Sequence, residues 1–355
     1  MKVLFDVVHP AHALFFCHSM RMLEERGDEI KIVSRHKDVT TSLLDALGFE
    51  HTPISTAGTG LVGLASELFA RDWRLLQIVR DFQPDILVGN GGLAISHVGK
   101  LMGIPSLSIY DMDEAVLQMS LTIPFIDEWH VPERWNGPVA KGRTHYFRGC
   151  RHYTYLHQDH FVADDEAALR AGWDPGQDNF LMRIVAWQSN HDQGKSGFIA
   201  QQRDDLIAEL QKRGRLHISS EGDLPAELEP FRFRGKVTDF HHLLAKCRIC
   251  VTESMTVASE ATALGVPSLL QNQFDIGYVT EQFEAGVFFP LPRETGIDNS
   301  ALIDAVLCMP SEEIKRRMDA YRSAQIDLNH YTIDAIDRMV GARQAPVASG
   351  QSKAA

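Results

Sequence analysis

Long apolar runs and paired cysteines are both missing from this sequence. No stretch approaches the roughly 18 uninterrupted apolar residues of a membrane-spanning helix, and the opening MKVLFDVVHP is interrupted by Asp6 too early for a signal peptide. Apart from Cys247 and Cys250, the 5 cysteines lack paired spacing. Those two lie at the end of a predicted helix and the start of a predicted strand, so their sulfurs should point apart. We expect core cysteines in a cytoplasmic protein, with no disulfide and no zinc site.

Net positive charge is missing too. The formal net charge is −12, which argues against a nucleic-acid groove because such a groove needs a basic field. A small anionic ligand remains compatible, since a few backbone amides and one or two cations can bind a phosphate locally. The hydrophobic content of 44% and the 355-residue length suit a globular protein of two domains.

What the sequence does have is a regular alternation of apolar strand patterns with amphipathic helix patterns. The predicted strands include KVLFDVV, EIKIVSR, DILVGNGG, PSLSIYD, EWHVPE, NFLMRIVAW, RLHISSE, RICVTES, PSLLQN and VFFPL. This alternation predicts an α/β protein with parallel sheets covered on both faces. We predict two Rossmann-like, doubly wound domains, residues 1–157 and 158–340, and a disordered tail, 341–355. Ligands should bind in the cleft between the domains, at the carboxyl ends of the strands.

The stretch TESMTVASEATALGVP predicts a strand that turns directly into a small-residue helix. A helix that begins near Ser254 leaves the amides of Ser254, Met255 and Thr256 without intrahelical partners, and the helix dipole favours an anion there. Glu260 follows Thr256 by four residues, so it lies on the same face and could accept both hydroxyls of a ribose. The alternative is a tightly packed helix with Glu260 solvated or salt-bridged.

The stretch SEATALGVPSLL resembles the donor-site signature of GT-B glycosyltransferases and of the non-hydrolysing UDP-N-acetylglucosamine 2-epimerases. Over most of residues 1–290 the chain is more similar to a prokaryotic family described as domain of unknown function 354. The stretches that carry this likeness are FDVVHPAHALFF, LEERGDEI, RIVAWQSNHD, HISSEGDLP and TESMTVASEATALGVPSLLQN. The resemblance implies a GT-B fold with the nucleotide-sugar site on the second domain, and it leaves the chemistry open.

The stretch DVVHPAHALFF joins the first predicted strand to the first helix. Many GT-B enzymes have a glycine-rich turn ending in histidine here, where this chain has His9, Pro10, Ala11 and His12. Either imidazole could take a proton from an acceptor hydroxyl. Similarity to the lipid-linked peptidoglycan N-acetylglucosaminyltransferase favours His12 over His9 as this base. The alternative is that His12 caps the helix or binds the acceptor.

Polar residues that follow the second-domain strands are the other donor-site candidates. In a GT-B fold the loop AWQSNHDQGKSG approaches the donor phosphates, so Ser189, His191 and Lys195 would donate to phosphate. Asp192 would orient His191 or bind a sugar hydroxyl. A polar surface turn is the alternative. The remaining donor-side candidates follow other strands: Ser219, Ser220, Glu221, Gln271 and Asn272.

On the first domain, two strand ends carry candidate acceptor-side groups. Asn90, Gly91 and Gly92 could admit a phosphate or an acceptor, although a Gly-Gly turn is most often structural. Asp113 is a candidate catalytic acid or base and Asp111 an acceptor-side residue. Carboxylates are also ordinary residues at helix amino ends, which is the alternative.

The resemblance implies a metal-independent, inverting glycosyltransferase that uses a nucleotide-diphosphate sugar, most simply a UDP-sugar, in polysaccharide or glycolipid synthesis. No cofactor is expected, because the nucleotide sugar is a substrate; the acceptor is a sugar or a lipid-linked molecule. One alternative is a UDP-sugar 2-epimerase, for which Asp111, Asp113, Glu114 and Glu128 supply carboxylates. The other is a nucleotide-sugar-binding protein without turnover.

One question is whether the protein makes peripheral contact with the inner face of a membrane. The residues that would make this contact are Leu61–Leu68 with Phe69 and Trp73. These residues could form an exposed apolar patch or belong to the core. The helical spacing favours the core.

Overall fold

The computed structural model describes residues 1–36, 39–56, 58, 60–185, 197–271, 273 and 276–344. They form two parallel sheets, each flanked by helices. In the first sheet the strand order is β3-β2-β1-β4-β5-β6-β7, and the strands are β1 (Lys2–Val7), β2 (Glu29–His36), β3 (Thr52–Thr56), β4 (Ile86–Gly89), β5 (Ser106–Ile109), β6 (Glu128–Pro132) and β7 (Thr144–Phe147).

The second sheet has the order β12-β11-β10-β8-β9. Its strands are β8 (Asn179–Ile184), β9 (Arg215–Ser220), β10 (Ile249–Thr252), β11 (Ser268–Leu270) and β12 (Phe288–Pro290). Central strands such as β4, β5 and β10 are buried along their whole length, as expected for parallel strands covered on both faces. Two doubly wound parallel sheets confirm the predicted fold class. The expected division near residue 157 lies between the sheets and stays a prediction.

Fourteen α-helices occur in the described part of the chain. They are α1 (Pro10–Glu25), α2 (Thr40–Ala46), α3 (Gly60–Phe82), α4 (Leu93–Met102), α5 (Val116–Thr122), α6 (Tyr153–Leu156), α7 (Asp165–Arg170), α8 (Ala200–Arg213), α9 (Phe240–Leu244), α10 (Met255–Ala263), α11 (Gly277–Glu284), α12 (Asn299–Leu307), α13 (Ser311–Ser323) and α14 (Leu328–Gln344). None of these helices combines the length and the apolar character that a membrane span requires.

The last helix, α14, crosses back onto the first domain. Ser19 in α1 donates a hydrogen bond to Asn329 (3.0 Å), and Arg26 forms a two-pronged ion pair with Asp337 (2.7 and 2.9 Å). Residues 341–344 belong to this helix, so the predicted disordered tail starts too early; the rest of it lies outside the described residues. Of the cysteines, Cys308 is exposed, contrary to the expected core position.

The surface of α3 also corrects an expectation. Phe69 is 77% exposed and Trp73 is 58% exposed, so the favoured interpretation of these residues as core was wrong. The buried side of the helix carries Leu75, Leu76 and Val79 instead. A long amphipathic helix needs only one apolar stripe for the core, and here a second apolar stripe faces outward.

Candidate functional site

The carboxyl ends of β1, β4 and β5 lie side by side because these strands are parallel neighbours. Gly89 pairs in register with Asp6 of β1 and with Ser108 of β5, so the segments that follow the three strands share one edge of the first sheet. The equivalent edge of the second sheet faces this one. The contact is direct at Asp113, whose carboxylate accepts a hydrogen bond from the amide of Gly277 at the start of α11 (3.3 Å).

The amino end of α10 forms the centre of the second-domain edge. Ser254 is the N-cap: its hydroxyl accepts from the Val257 amide (3.3 Å), while its own amide donates to the Thr252 hydroxyl (2.8 Å). Within the described ranges, no acceptor contacts the amides of Met255 and Thr256. Two of the three amides that the sequence assigned to an anion therefore remain available for one.

Arg151 joins the two edges. This residue lies between the two sheets, just before α6, and its guanidinium donates to the Asp111 carboxylate (3.1 Å) and to the Thr256 hydroxyl (2.9 Å). Burial raises the pKa of the Asp111 carboxyl, although the charge of Arg151 acts in the opposite direction. Asp111 therefore lies at the cleft as predicted and forms a buried ion pair there.

Glu260 is buried, and its carboxylate is engaged by the protein itself. The Tyr155 hydroxyl donates to Oε1 (2.7 Å), and His241 Nε2 lies 3.2 Å from the same oxygen. Burial alone would raise the pKa of Glu260, but His241 and the Tyr155 hydrogen bond hold it at about 2. The carboxylate is thus ionised at neutral pH. Its predicted role as the ribose acceptor stays a prediction, one that requires a change of partners.

The predicted phosphate loop lies outside the described residues, and with it Ser189, His191, Asp192 and Lys195; Asn272 also lies outside them. Both flanks of the loop bind Glu253, a residue that the sequence analysis missed. The amides of Val185 (3.0 Å) and Phe198 donate to its carboxylate. Glu253 directly follows β10, so this residue ties the two flanking segments to the amino end of α10.

The candidates at the end of β9 are engaged by neighbouring protein groups. Arg183 donates to the Ser219 hydroxyl (2.7 Å) and forms an ion pair with Glu221 (2.5 Å), and the Ser220 hydroxyl donates to the Gly222 carbonyl (3.0 Å). Arg183, in β8, therefore has a carboxylate partner. Gln271, at the end of β11, differs: it is 1% exposed, and neither side-chain amide atom has a hydrogen-bond partner in the described part of the chain.

The two loop histidines have different local roles. His9, not His12, is the N-cap of α1, and its Nδ1 accepts a hydrogen bond from the Ala11 amide (3.2 Å). Because Nδ1 is an acceptor, the neutral ring of His9 carries its proton on Nε2, which then cannot take another. The His12 ring lies 5.9 Å from that of His9, centroid to centroid. This geometry favours His12 as the proton acceptor.

The geometry of the turn and its packing explain the glycines after β4. Gly91 and Gly92 both adopt positive φ angles, 74° and 54°, which favour glycine. A Cβ on Gly91 would lie 2.3 Å from the Gln118 side chain and 3.0 Å from the Tyr110 ring. Asn90 is buried beside them. Their predicted role in acceptor binding stays a prediction, because the turn geometry alone accounts for both glycines.

Asp113 is a carboxyl group at the cleft with a raised pKa. It accepts hydrogen bonds from the amides of Asn136 (3.1 Å) and Gly277 (3.3 Å), yet burial raises its pKa to about 6. A carboxyl group with this pKa can exchange a proton near neutral pH. By contrast, Glu128 begins β6, at the opposite edge of the sheet, and is bound by Arg338 (2.6 and 2.7 Å). It is not a cleft carboxylate.

Sequence reasoning missed Arg151, Tyr155 and His241. The first two lie in a segment without strand periodicity, next to the expected division near residue 157, and His241 lies in the short helix α9. Several titratable residues in such a segment, RHYTYLHQDH, were the available signal. Neither pairing can be deduced without the fold, because Arg151–Thr256 and Tyr155–Glu260 each span 105 residues.

Comparison with known proteins agrees with this architecture. Residues 1–140 match the family described as "Protein of unknown function (DUF354)". The predicted resemblance is thereby confirmed for that part of the chain. Uncharacterized protein MJ0665 of Methanocaldococcus jannaschii is 22% identical over 128 residues, which are 36% of this chain and 38% of that protein. The match thus spans less than half of this curated relative.

Solved structures match over nearly the whole chain. UDP-GlcNAc 2-epimerase from Neisseria meningitidis, bound to UDP-GlcNAc, has a TM-score of 0.70 at 15% identity and covers 94% of this chain and 99% of its own. The spinosyn forosaminyltransferase SpnP gives 0.66 at 14% identity, with 96% and 99% covered. The spinosyn rhamnosyltransferase SpnG, complexed with thymidine diphosphate, gives 0.65 at 13% identity, with 95% and 100% covered. These similarities confirm the GT-B fold.

Proposed function

We propose that this protein binds a nucleoside diphosphate sugar in the cleft between its two sheets and transfers the sugar, with inversion and without a metal ion, to an acceptor hydroxyl. The single observation that carries the proposal is the arrangement at the amino end of α10. Two backbone amides with no described acceptor lie there beside a buried arginine, Arg151, which also forms an ion pair with Asp111 of the first domain. Structural neighbours are named as binding UDP-GlcNAc, UDP and thymidine diphosphate.

The donor half of the reaction belongs to the second domain. The diphosphate binds the amides of Met255 and Thr256, where the α10 dipole favours negative charge. As the bond from the sugar C1 to the diphosphate oxygen breaks, its electron pair moves to that oxygen, and preorganised donors stabilise the charge. Glu260 accepts the ribose hydroxyls once they replace the Tyr155 hydroxyl.

The acceptor half belongs to the first domain. His12 takes the proton of the acceptor hydroxyl as its oxygen attacks C1 from the side opposite the diphosphate, which inverts the configuration. Asp113 holds a second acceptor hydroxyl and becomes an alternative base when ionised, above pH 6. Among the described residues, the one cluster compact enough for a metal ion is Glu128, His130 and His145. Glu128 and His130 in that cluster bind α14 side chains rather than cleft residues.

A lipid-linked acceptor fits the surface next to the cleft. Helices α3, α4 and α5 pack side by side, and His97 of α4 joins Asp72 of α3 (2.8 Å) to the Leu121 carbonyl of α5 (3.1 Å). The outer face of this layer exposes large apolar side chains, here named the α3–α5 apolar surface: Val62, Phe69, Trp73, Leu117 and Leu121. Its α5 part begins within four residues of Asp113, so a membrane on this surface would bring a lipid-borne hydroxyl to the cleft.

Epimerisation is the second candidate. Asp111 and Asp113, two buried carboxyl groups after β5, favour this reaction, because reversal at C2 needs acid and base groups on the first domain. Against it, Asp111 is neutralised by Arg151 and Glu128 lies away from the cleft.

One experiment tests both candidates. The protein is incubated with UDP-GlcNAc, or with other UDP- and dTDP-sugars, with and without membrane lipid extract, and the products are separated by chromatography. Nucleotide release that needs lipid extract, with a glycosylated lipid, supports transfer. Conversion to the C2 epimer without any acceptor supports epimerisation. Tight nucleotide-sugar binding without either product would indicate a binding protein and overturn the proposed activity.

A further inference from the structure

Arg151 occupies an unusual place for a cation. Its guanidinium contacts the amino end of α10 through the Thr256 hydroxyl (2.9 Å), where the helix dipole is positive and repels a positive charge. The side chain is only 13% exposed, so water screens this repulsion poorly. Asp111, at 3.1 Å, supplies the compensating charge from the other domain. The positive end of α10 and the Arg151 guanidinium therefore lie side by side, and the Asp111 carboxylate contacts the guanidinium from the first domain.

The same edge holds several buried polar atoms without partners. In the part of the chain that the structure describes, Arg151 Nε, Asp111 Oδ2 and both amide atoms of Gln271 are buried with no hydrogen bond. Leu270 pairs in register with Thr252, so Gln271 directly follows the strand beside the one that leads into α10. Buried polar atoms in native proteins are almost always paired. At the carboxyl edge that faces the cleft, unpaired atoms of this kind indicate a polar ligand.

The chemistry of these atoms specifies the ligand. Arg151 Nε, the Gln271 amide and the backbone amides of Met255 and Thr256 are donors, which suit phosphate oxygens. Asp111 Oδ2 is an acceptor, which suits a sugar hydroxyl. A diphosphate with a sugar attached satisfies both sets at once, whereas a simple phosphate leaves Asp111 Oδ2 without a partner.

Resting on the proposed function, we infer that Arg151 is the cation that binds the donor diphosphate, and that Asp111 is the positioning residue that holds it. In the free protein Arg151 bonds to Thr256; when the donor binds, its guanidinium moves to the diphosphate oxygens and stays paired with Asp111. The ion pair thus keeps an arginine at the positive end of α10 until an anion arrives. Arg151 then stabilises the charge of the leaving diphosphate.

The test measures binding of UDP, thymidine diphosphate and the matching nucleosides by titration calorimetry. For the nucleotide that the wild-type protein binds, Arg151→Gln should weaken diphosphate binding by about 10- to 100-fold, the usual effect of losing a charge-assisted hydrogen bond, with nucleoside binding changed less than about twofold. Arg151→Lys, which keeps the charge but loses the two-pronged geometry, should fall between. The control is Arg213→Gln, which removes a second-domain arginine paired with Glu209 and Asp304, and should leave both affinities unchanged.

The outcomes distinguish failure of the Arg151 assignment from failure of the proposed function. If the wild-type protein binds no nucleoside diphosphate, the proposed function itself fails. If it binds one and a folded Arg151→Gln variant binds it equally well, the assignment of Arg151 is overturned while the proposed function stands. Should Arg151→Gln fail to fold, Thr256→Val decides: this variant frees Arg151 without removing it, so diphosphate affinity should hold or rise, and a loss of tenfold or more contradicts the inference.

Discussion

Tyr155 donates a hydrogen bond to Glu260 at 2.7 Å, although 105 residues separate them in the chain. The segment that links the two sheets thereby places a hydroxyl on the carboxylate that the sequence assigned to a ribose. In the proposed function, a ribose hydroxyl takes the position of the Tyr155 hydroxyl on Oε1. The proposed ribose role of Glu260 therefore requires Tyr155 to withdraw when the donor binds.

This relationship predicts opposite effects of two conservative variants. Glu260→Gln removes the charge and should weaken nucleoside diphosphate binding by about tenfold or more, as expected for hydrogen bonds to a charged group. Tyr155→Phe removes the competing hydroxyl and should leave that affinity unchanged or raise it. Titration calorimetry measures both. Equal affinity in Glu260→Gln and wild-type protein would remove the ribose assignment.

The same carboxylate should influence stability in a pH-dependent way. Its pKa of about 2 in the folded protein is below the ordinary value of 4.5, so its contribution is present above pH 4.5 and is lost as the pH falls towards 2. Glu260→Gln should therefore lower Tm most at pH 6–8, and the difference from wild type should shrink on acidification. Thermal melts between pH 3 and 8 test this. A difference that stays constant with pH would contradict it.

The contribution of Asp113 to stability should depend on pH in the opposite way. Burial raises its pKa from the ordinary 3.8 to about 6, so the folded state binds a proton more tightly than the unfolded state. The ionised carboxylate then costs stability above pH 6, and this cost disappears as the pH falls towards 4. Asp113→Asn, which keeps an oxygen for the Gly277 amide, should raise Tm at pH 7–8 and give little gain near pH 4. A destabilised Asn variant at pH 8 would show that the carboxylate is not strained there.

The fold could be predicted largely from the sequence, because buried parallel strands and amphipathic helices leave strong periodic patterns. β3 and β7 were missed for local reasons: Pro53 interrupts the first and polar residues dominate the second. The amino end of α10 could be located from the sequence because Ser254 and its small neighbours are typical of an N-cap. The partners of Glu260 and Thr256 could not be predicted, since a pairing across 105 residues depends on how the two sheets meet, which no local pattern encodes.

Substitutions at His9 and at His12 should have clearly different effects on kcat. His12→Ala removes the proposed base and should lower kcat by about 10²- to 10⁴-fold with unchanged nucleotide affinity. His9→Asn keeps a side-chain acceptor for the Ala11 amide, so helix α1 stays capped and kcat should change by only a few-fold. The measurement is the rate of nucleotide release with acceptor present. A His9→Asn variant as inactive as His12→Ala would reverse the assignment.

Gly277 packs directly against the first domain. A Cβ at this position would lie 1.6 Å from the Arg134 carbonyl oxygen, closer than any real contact, so Gly277→Ala must move α11 away from the first domain. We expect a fall in Tm of several degrees and weaker nucleotide binding, because the Asp113 contact is lost too. The control is Gly341→Ala in α14, which meets no atom within 4 Å and should raise stability by about 0.5–1 kcal/mol.

The α3–α5 apolar surface predicts binding to lipid vesicles. Burying Phe69 and Trp73 in a membrane is worth about 1.5–3 kcal/mol for each side chain, so the double variant Phe69→Ser and Trp73→Ser should reduce vesicle binding by at least about tenfold. Val162→Ser is the matched control, because Val162 is equally exposed but lies outside this surface. Co-sedimentation with phosphatidylglycerol vesicles measures the effect. Transfer to a lipid acceptor should fall with vesicle binding while nucleotide affinity stays constant; unchanged vesicle binding in the double variant would exclude the membrane as the partner of this surface.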